Sequence, residues 1–122
     1  MLSSLDLAAV NSFLITARKE IDKNNAYFVY YRNVKSGNKV VNARQALLDI
    51  GIIKISEIWN HIKELQPSDC FRISRDRDFS RDFNAEIYEF KKIINRKNAY
   101  IKLTINDKGL LCISFHIDNG GN

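Results

Sequence analysis

Leu7, Val10, Leu14, Ala17 and Ile21 recur at a 3-4-3-4 spacing, which sets one apolar stripe along a helix from about Asp6 to Lys23. Asp6 is the expected N-cap and Asn24-Asn25 the expected stop. Tyr27-Phe28-Val29-Tyr30-Tyr31 is aromatic and β-branched and predicts a short strand. Lys35-Ser36-Gly37-Asn38-Lys39 reads as a loop. Asn42 can cap a second helix, with Gln45 three residues on as in a capping box; that helix carries Ala46, Leu47 and Ile50 and stops at Gly51. A third helix starts near Ser56, follows Ile55, Ile58, Ile62 and Leu65, and is ended by Pro67. Trp59 flanks that stripe and is expected in the core, whereas His61 lies off it, on a solvated helix surface.

The period then changes from helical to two. A short strand is expected around Cys70–Ile73, followed by a mobile charged loop to Phe83. Strands are expected at about Glu86–Ile94, Ala99–Asn106 and Leu110–Asp118, the last two joined by the turn Asn106-Asp107-Lys108-Gly109. Alternation puts Leu111, Ile113, Phe115 and Ile117 on one face, with Cys112, Ser114 and His116 on the other. It likewise separates Ile101, Leu103 and Ile105 from Tyr100, Lys102 and Thr104. In the strand before these, Tyr88, Phe90 and Ile94 form the core set, which leaves Glu89 on the open face with Lys91. Helices that precede a mostly antiparallel strand-rich half predict an α+β fold, N-terminal helices on a small sheet, in one domain over residues 1–122.

The 122 residues suffice to bury a core without disulfides, and 45% hydrophobic with 27% charged is the usual balance of a soluble domain. No run approaches the ~18 apolar residues of a membrane span, and Met1-Leu2-Ser3-Ser4-Leu5-Asp6 has no secretion signal. Cys70 and Cys112 make no disulfide framework, so they read as small buried hydrophobes and the expected location is the cytoplasm. The net charge is +5. Between Arg72 and Lys102 nine basic residues face five acidic ones, a local excess of four that holds most of it. A basic stripe beside exposed aromatics suits a polyanion such as RNA or DNA; it equally suits a soluble basic protein with no such partner.

His61, Cys70, Cys112 and His116 have no metal-ligand spacing, and no phosphate-binding glycine loop or nucleophile elbow occurs, so neither metal nor cofactor is expected. Metal-free cleavage of an RNA backbone does fit the residues present. The ribose 2′-hydroxyl must lose a proton, the leaving 5′-oxygen must gain one, and charge on the phosphoryl oxygens needs fixed cations. Glu89, His116, Arg72 and Lys102 supply that set. The alternative is that Glu89 pairs with a neighbouring lysine and His116 is a solvated edge residue.

From Ala46 onward the chain resembles the MqsR family of toxin–antitoxin toxins, within the RelE-like mRNA interferases. The matching pieces are Ala46-Leu47 with Gly51, then Leu65-x-x-Ser68-Asp69-x-Phe71-Arg72. After them come Ile87-Tyr88-Glu89, Tyr100-Ile101-Lys102-Leu103 and Ser114-Phe115-His116. The resemblance covers roughly residues 40–117 and implies a RelE-like fold, endoribonuclease activity and a cognate antitoxin. Arg72 stands where the family has its active-site lysine, Glu89 where it has glutamine, and His116 where it has lysine; Tyr100 matches the family tyrosine.

The expected catalytic residues are therefore Arg72, Glu89, Tyr100 and His116, with Arg75, Arg77, Lys91 and Lys102 holding RNA. Glu89 is expected to take the 2′-hydroxyl proton, His116 to protonate the leaving oxygen, Arg72 to stabilise the phosphoryl charge, and Tyr100 to orient the phosphate or stack a base. The antitoxin is expected over the face bearing Arg72, Tyr100 and His116. The competing readings are a non-catalytic nucleic-acid-binding module and a protein-only inhibitor.

Overall fold

The structure, a computed structural model, describes residues 2–74 and 86–118. The expected charged loop, with Arg75 and Arg77, lies outside the described residues. Helix α1 spans Ser4–Asp22 and is capped by Ser3, not Asp6. The Ser3 hydroxyl accepts from the Asp6 N–H (3.1 Å), and the Asp6 carboxylate accepts from the Ser3 N–H (3.2 Å). Each side chain thus satisfies a backbone donor that the first helical turn leaves open. Val10, Phe13, Leu14 and Ala17 are buried, while Leu7, expected on the stripe, is exposed. Phe13 joins the buried set because its ring stacks on Tyr88 of the sheet at 3.9 Å. Lys23 is the C-cap, and Asn24 just beyond it takes a left-handed φ of 60°.

Strand β1 (Ala26–Phe28) is shorter than expected. The segment expected as a loop forms a separate hairpin, β2 (Asn33–Ser36) and β3 (Lys39–Asn42), turned by Gly37 at φ +61°. Val34 and Ser36 point inward and Asn33 and Lys35 outward. That alternation spans four residues, too few to stand out from a polar loop.

Helix α2 (Ala43–Asp49) starts on the Asn42 side chain, which accepts from the Gln45 N–H at 2.8 Å. Helix α3 (Glu57–Lys63) lacks a side-chain cap at Ser56. Its far end is held by Arg18 of α1, whose guanidinium donates to the carbonyls of Lys63 (3.1 Å) and Leu65 (2.7 Å). Those carbonyls have no partner within the helix, so a cation suits them. Trp59 packs half-buried against the core, as expected. His61 is half-buried rather than solvated, its ring 6.4 Å from that of Phe115.

After a single 3-10 turn at Pro67–Asp69 come β4 (Cys70–Ser74), β5 (Ile87–Ile94), β6 (Lys97–Asn106) and β7 (Gly109–Ile117). The five-stranded order is β1-β7-β6-β5-β4, antiparallel except for the parallel β1–β7 pair. One buried cluster joins Val10, Leu14, Leu47, Ile58 and Ile62 of the helices to Phe90, Ile101, Leu103 and Phe115 of the sheet. The fold is therefore α+β, with the helices packed on one face of the sheet. Both cysteines are buried and free. No helix among the described residues is long and apolar enough to cross a membrane.

The β6–β7 turn carries a conformational requirement. Gly109 sits at φ +126°, and an added Cβ would strike the Asn25 carbonyl, which accepts the Leu110 N–H at 3.1 Å. Gly109→Ala is expected to destabilise by roughly 2–4 kcal/mol, because strain and overpacking act together. Urea unfolding within 0.5 kcal/mol of wild type, roughly the scatter of a neutral surface change, would contradict this.

Candidate functional site

Two β-bulges build the open face. Cys70 pairs with Phe90 and Arg72 with Glu89, so Phe71 is an extra residue in β4. Strict alternation would have put Arg72 on the core side with Cys70; the extra residue turns it to the side of Glu89. On β7, Cys112 pairs with Leu103 and Ser114 with Lys102, so Ile113 is the extra residue. Cys112 consequently lies in the core with Phe115, not beside Ser114 and His116 as alternation predicts. Each thiol contacts the carbonyl two residues on, Cys70 that of Arg72 and Cys112 that of Ser114, both at 3.5 Å. The cysteines thus back the bulges from the core side.

With both bulges in place, cross-strand register aligns the site. Arg72, Glu89, Lys102 and Ser114 form one row; Lys91, Tyr100 and His116 form the next. Of the residues expected at the site, Arg72, Glu89, Tyr100, His116, Lys91 and Lys102 come together. Thr104, expected on the open face, is fully buried and donates to the Glu86 carbonyl.

Glu89 is on the expected face but not open: it is 2% exposed. Arg72 donates to both carboxylate oxygens through Nε and Nη2 at 2.7 Å each, Ser74 donates at 2.7 Å, and the Tyr100 hydroxyl donates as well. Burial pushes the carboxyl up, but the bonds from Arg72, Tyr100 and Ser74 outweigh it and bring it down to about 2. The carboxylate is ionised and its oxygens are occupied. The same contact with Glu89 raises the Arg72 guanidinium, which stays charged. Burial and then Glu89 raise the Tyr100 phenol, which stays protonated.

His116 is 7% exposed, and its ring stacks on Tyr100 at 5.0 Å with an interplanar angle of 21°. Its Nδ1 lies 2.7 Å from the Ile117 carbonyl, which can only accept, so Nδ1 carries a proton and Nε2 is the other functional nitrogen. Burial lowers its pKa from the ordinary 6.5, against the raising effect of the Ile117 carbonyl; Lys102 and Arg32 lower it further and Asp118 raises it. At neutral pH the ring is chiefly the neutral form with Nε2 as an acceptor.

The β2–β3 hairpin walls a polar cleft of about 340 Å³ over this face, lined by Arg32, Lys35, Tyr100, Lys102, Ser114 and His116 among others. Three cationic side chains thus meet one imidazole. On the β4 side Phe71 adds an aromatic surface, its ring 6.0 Å from Tyr100, with Lys91 Nζ 4.7 Å from its centroid. Lys91 also pairs with Asp118 at 3.4 Å. Arg75 and Arg77 lie outside the described residues. Among the described residues, no three His, Cys, Asp or Glu gather where they could hold a metal ion.

Sequence reasoning missed Ser74, Arg32 and Lys35. Ser74 was findable, since Arg72 and Ser74 stand two apart on one strand. Arg32 and Lys35 reach the cleft only because the hairpin folds over the sheet, and no local pattern announces that. No model of a known protein family matches the chain, and no curated protein matches it.

Proposed function

We propose that the protein is an endoribonuclease of the RelE-like, MqsR-type class, acting without a metal as the toxin of a toxin–antitoxin pair in the cytoplasm. The observation that carries the reading is that His116, its Nδ1 held by the Ile117 carbonyl, lines a cleft with Arg32, Lys35 and Lys102, beside the Arg72–Glu89–Tyr100 cluster. An accepting nitrogen among cations suits attack of a 2′-hydroxyl on its adjacent phosphodiester. His116 Nε2 takes the hydroxyl proton, the 2′-oxygen bonds to phosphorus, and the bond to the 5′-oxygen breaks, leaving a 2′,3′-cyclic phosphate; the departing 5′-oxygen takes its proton from water and becomes a 5′-hydroxyl, and His116 returns its proton to solvent. Lys102 and Arg72 stabilise charge on the phosphoryl and leaving oxygens.

Three roles expected from sequence change on this geometry. Glu89 is an anchor that holds Arg72, Ser74 and Tyr100 rather than a base. His116 becomes the base rather than the acid. Tyr100 supports the His116 ring. A second reading, a non-catalytic RNA-binding module on the same face, draws on the full occupation of Glu89, which removes one of the two titrating groups that acid–base catalysis by a pair requires.

A cognate antitoxin that silences this face would be acidic and would meet Arg72, Lys102 and His116 across the two rows. Inducible expression of the chain alone is expected to arrest bacterial growth and to create new 5′-hydroxyl ends across cellular RNA. Unchanged growth and unchanged RNA ends at verified soluble expression would sink the toxin reading. Tight RNA binding by purified protein without cleavage, ribosomes included, would leave the binding module standing.

A further inference from the structure

A second cleft opens on the same sheet face, toward the β6–β7 turn. It holds about 470 Å³ and is lined by Tyr27, Phe28, Val29, Tyr31, Asn106, Lys108 and Leu111. Register fixes its place relative to the first. Tyr27 pairs with Leu111, Leu111 with Thr104, and Thr104 shares its β6 face with Lys102 and Tyr100. Asn106 in the second cleft is four positions along β6 from Lys102 in the first, a span of about 13 Å at strand rise. Tyr31 is 74% exposed and Tyr27 is 51% exposed, so two phenol rings face solvent beside the Lys108 ammonium.

The chemistry of the two clefts is complementary. One is cationic and polar, the other aromatic and apolar with a cation at its rim. A single-stranded nucleic acid presents that same alternation, charged backbone and flat base, along its length. We propose that the Tyr27–Tyr31 cleft is a nucleobase subsite, in which a base of single-stranded RNA flanking the scissile phosphate stacks on Tyr31 and Tyr27 while Lys108 meets its backbone. The inference rests on the RNA-cleaving reading of the neighbouring cleft. Among the described residues the Tyr31 ring meets Tyr30 edge-on at 6.4 Å, and it is largely solvated and outside the buried core.

The test measures equilibrium binding of short single-stranded oligoribonucleotides, intact or lacking the base at one position in turn, to wild-type protein and to Tyr31→Ala and Tyr31→Trp. Stacking of one base is worth ~1–3 kcal/mol, so Tyr31→Ala should weaken the intact oligomer by ~5- to 150-fold. Tyr31→Trp should bind near the wild-type level. One abasic position should weaken wild-type binding to a similar degree, and on that oligomer Tyr31→Ala should cost nothing more. Competition by inorganic phosphate should be the same for all three proteins, since it reads the cationic cleft alone. Equal binding of the intact oligomer by wild type and Tyr31→Ala would overturn the subsite while leaving the RNA reading intact. Equal losses on intact and every abasic oligomer would also overturn it, as a general disturbance of the surface. A wild-type protein that binds none of the oligomers would remove both the subsite and the reading beneath it.

Discussion

Replacing His116 with alanine is expected to slow single-turnover RNA cleavage by ~10²–10⁴-fold, the size of a lost acid or base, with little change in RNA affinity. The imidazole is fixed on two sides, since Tyr100 stacks on its ring and the Ile117 carbonyl holds Nδ1, and the cleft opens toward Lys102 and Arg32. Such positioning prevents the ring from turning away or exchanging its nitrogens. The pH dependence follows from the direction of its shift. Because burial and nearby cations lower the pKa from 6.5, the active neutral ring predominates above that value. The rate should climb through an apparent pKa below 6.5 and then run flat across neutrality. The bell expected from two titrating groups should be missing its second arm, because Glu89 at about 2 is ionised throughout. Cleavage by His116→Ala at the wild-type rate, or a wild-type rate that falls steadily from pH 5 to 7, would exclude this residue as the base.

The second large effect concerns Glu89→Gln, which should impair both stability and activity. An amide keeps the shape but presents a donor where Arg72, Ser74 and Tyr100 already donate. The sign of the pH dependence is set by a folded pKa of about 2 against an ordinary 4.5. A depressed carboxyl stabilises the fold above the unfolded value, and that stability is lost as pH falls from about 4.5 toward 2. One pKa unit corresponds to ~1.4 kcal/mol. Arg72 is 58% exposed, and solvent screens its share, so the whole contribution is about 2–3 kcal/mol. Urea unfolding of wild type should weaken by that amount across the window, whereas Glu89→Gln should begin weaker and show a shallower fall. Released from the carboxylate, Arg72 would no longer be placed beside the phosphate, and a displacement of that kind can cost ~10² in rate. Equal stability and parallel acid profiles for the two proteins would show that the buried cluster holds nothing together.

The helices were legible because burial writes a repeat into them. Val10, Leu14 and Ala17, then Ile58, Ile62 and Leu65, follow the helical period and lie in the core. Asn42 and Gly51 mark the ends of α2 through local backbone chemistry that a sequence displays directly. Strands β5 to β7 were equally legible, and their order and antiparallel pairing follow from short turns. Where the reading failed, the signal was too short or the pairing was non-local. The β2–β3 hairpin has too few residues to show an alternation, and β1 joins the sheet by parallel pairing with a strand more than eighty residues later.

The candidate chemistry divides in the same way. By itself the sequence determined which residue types were available and that Glu89, Lys91, Tyr100, Lys102 and His116 would share a sheet face, because alternation along a regular strand is a local property. Only the tertiary structure decided their surroundings. It inserted Phe71 and Ile113 as bulges that bring Arg72 to Glu89 and send Cys112 to the core. It also buried the Glu89 carboxylate under three donors and closed the hairpin over His116. Whether a carboxylate is an anchor or a base depends on its desolvation and on which donors reach it. Both are sums over groups distant in the chain, so they appear only once the chain has folded.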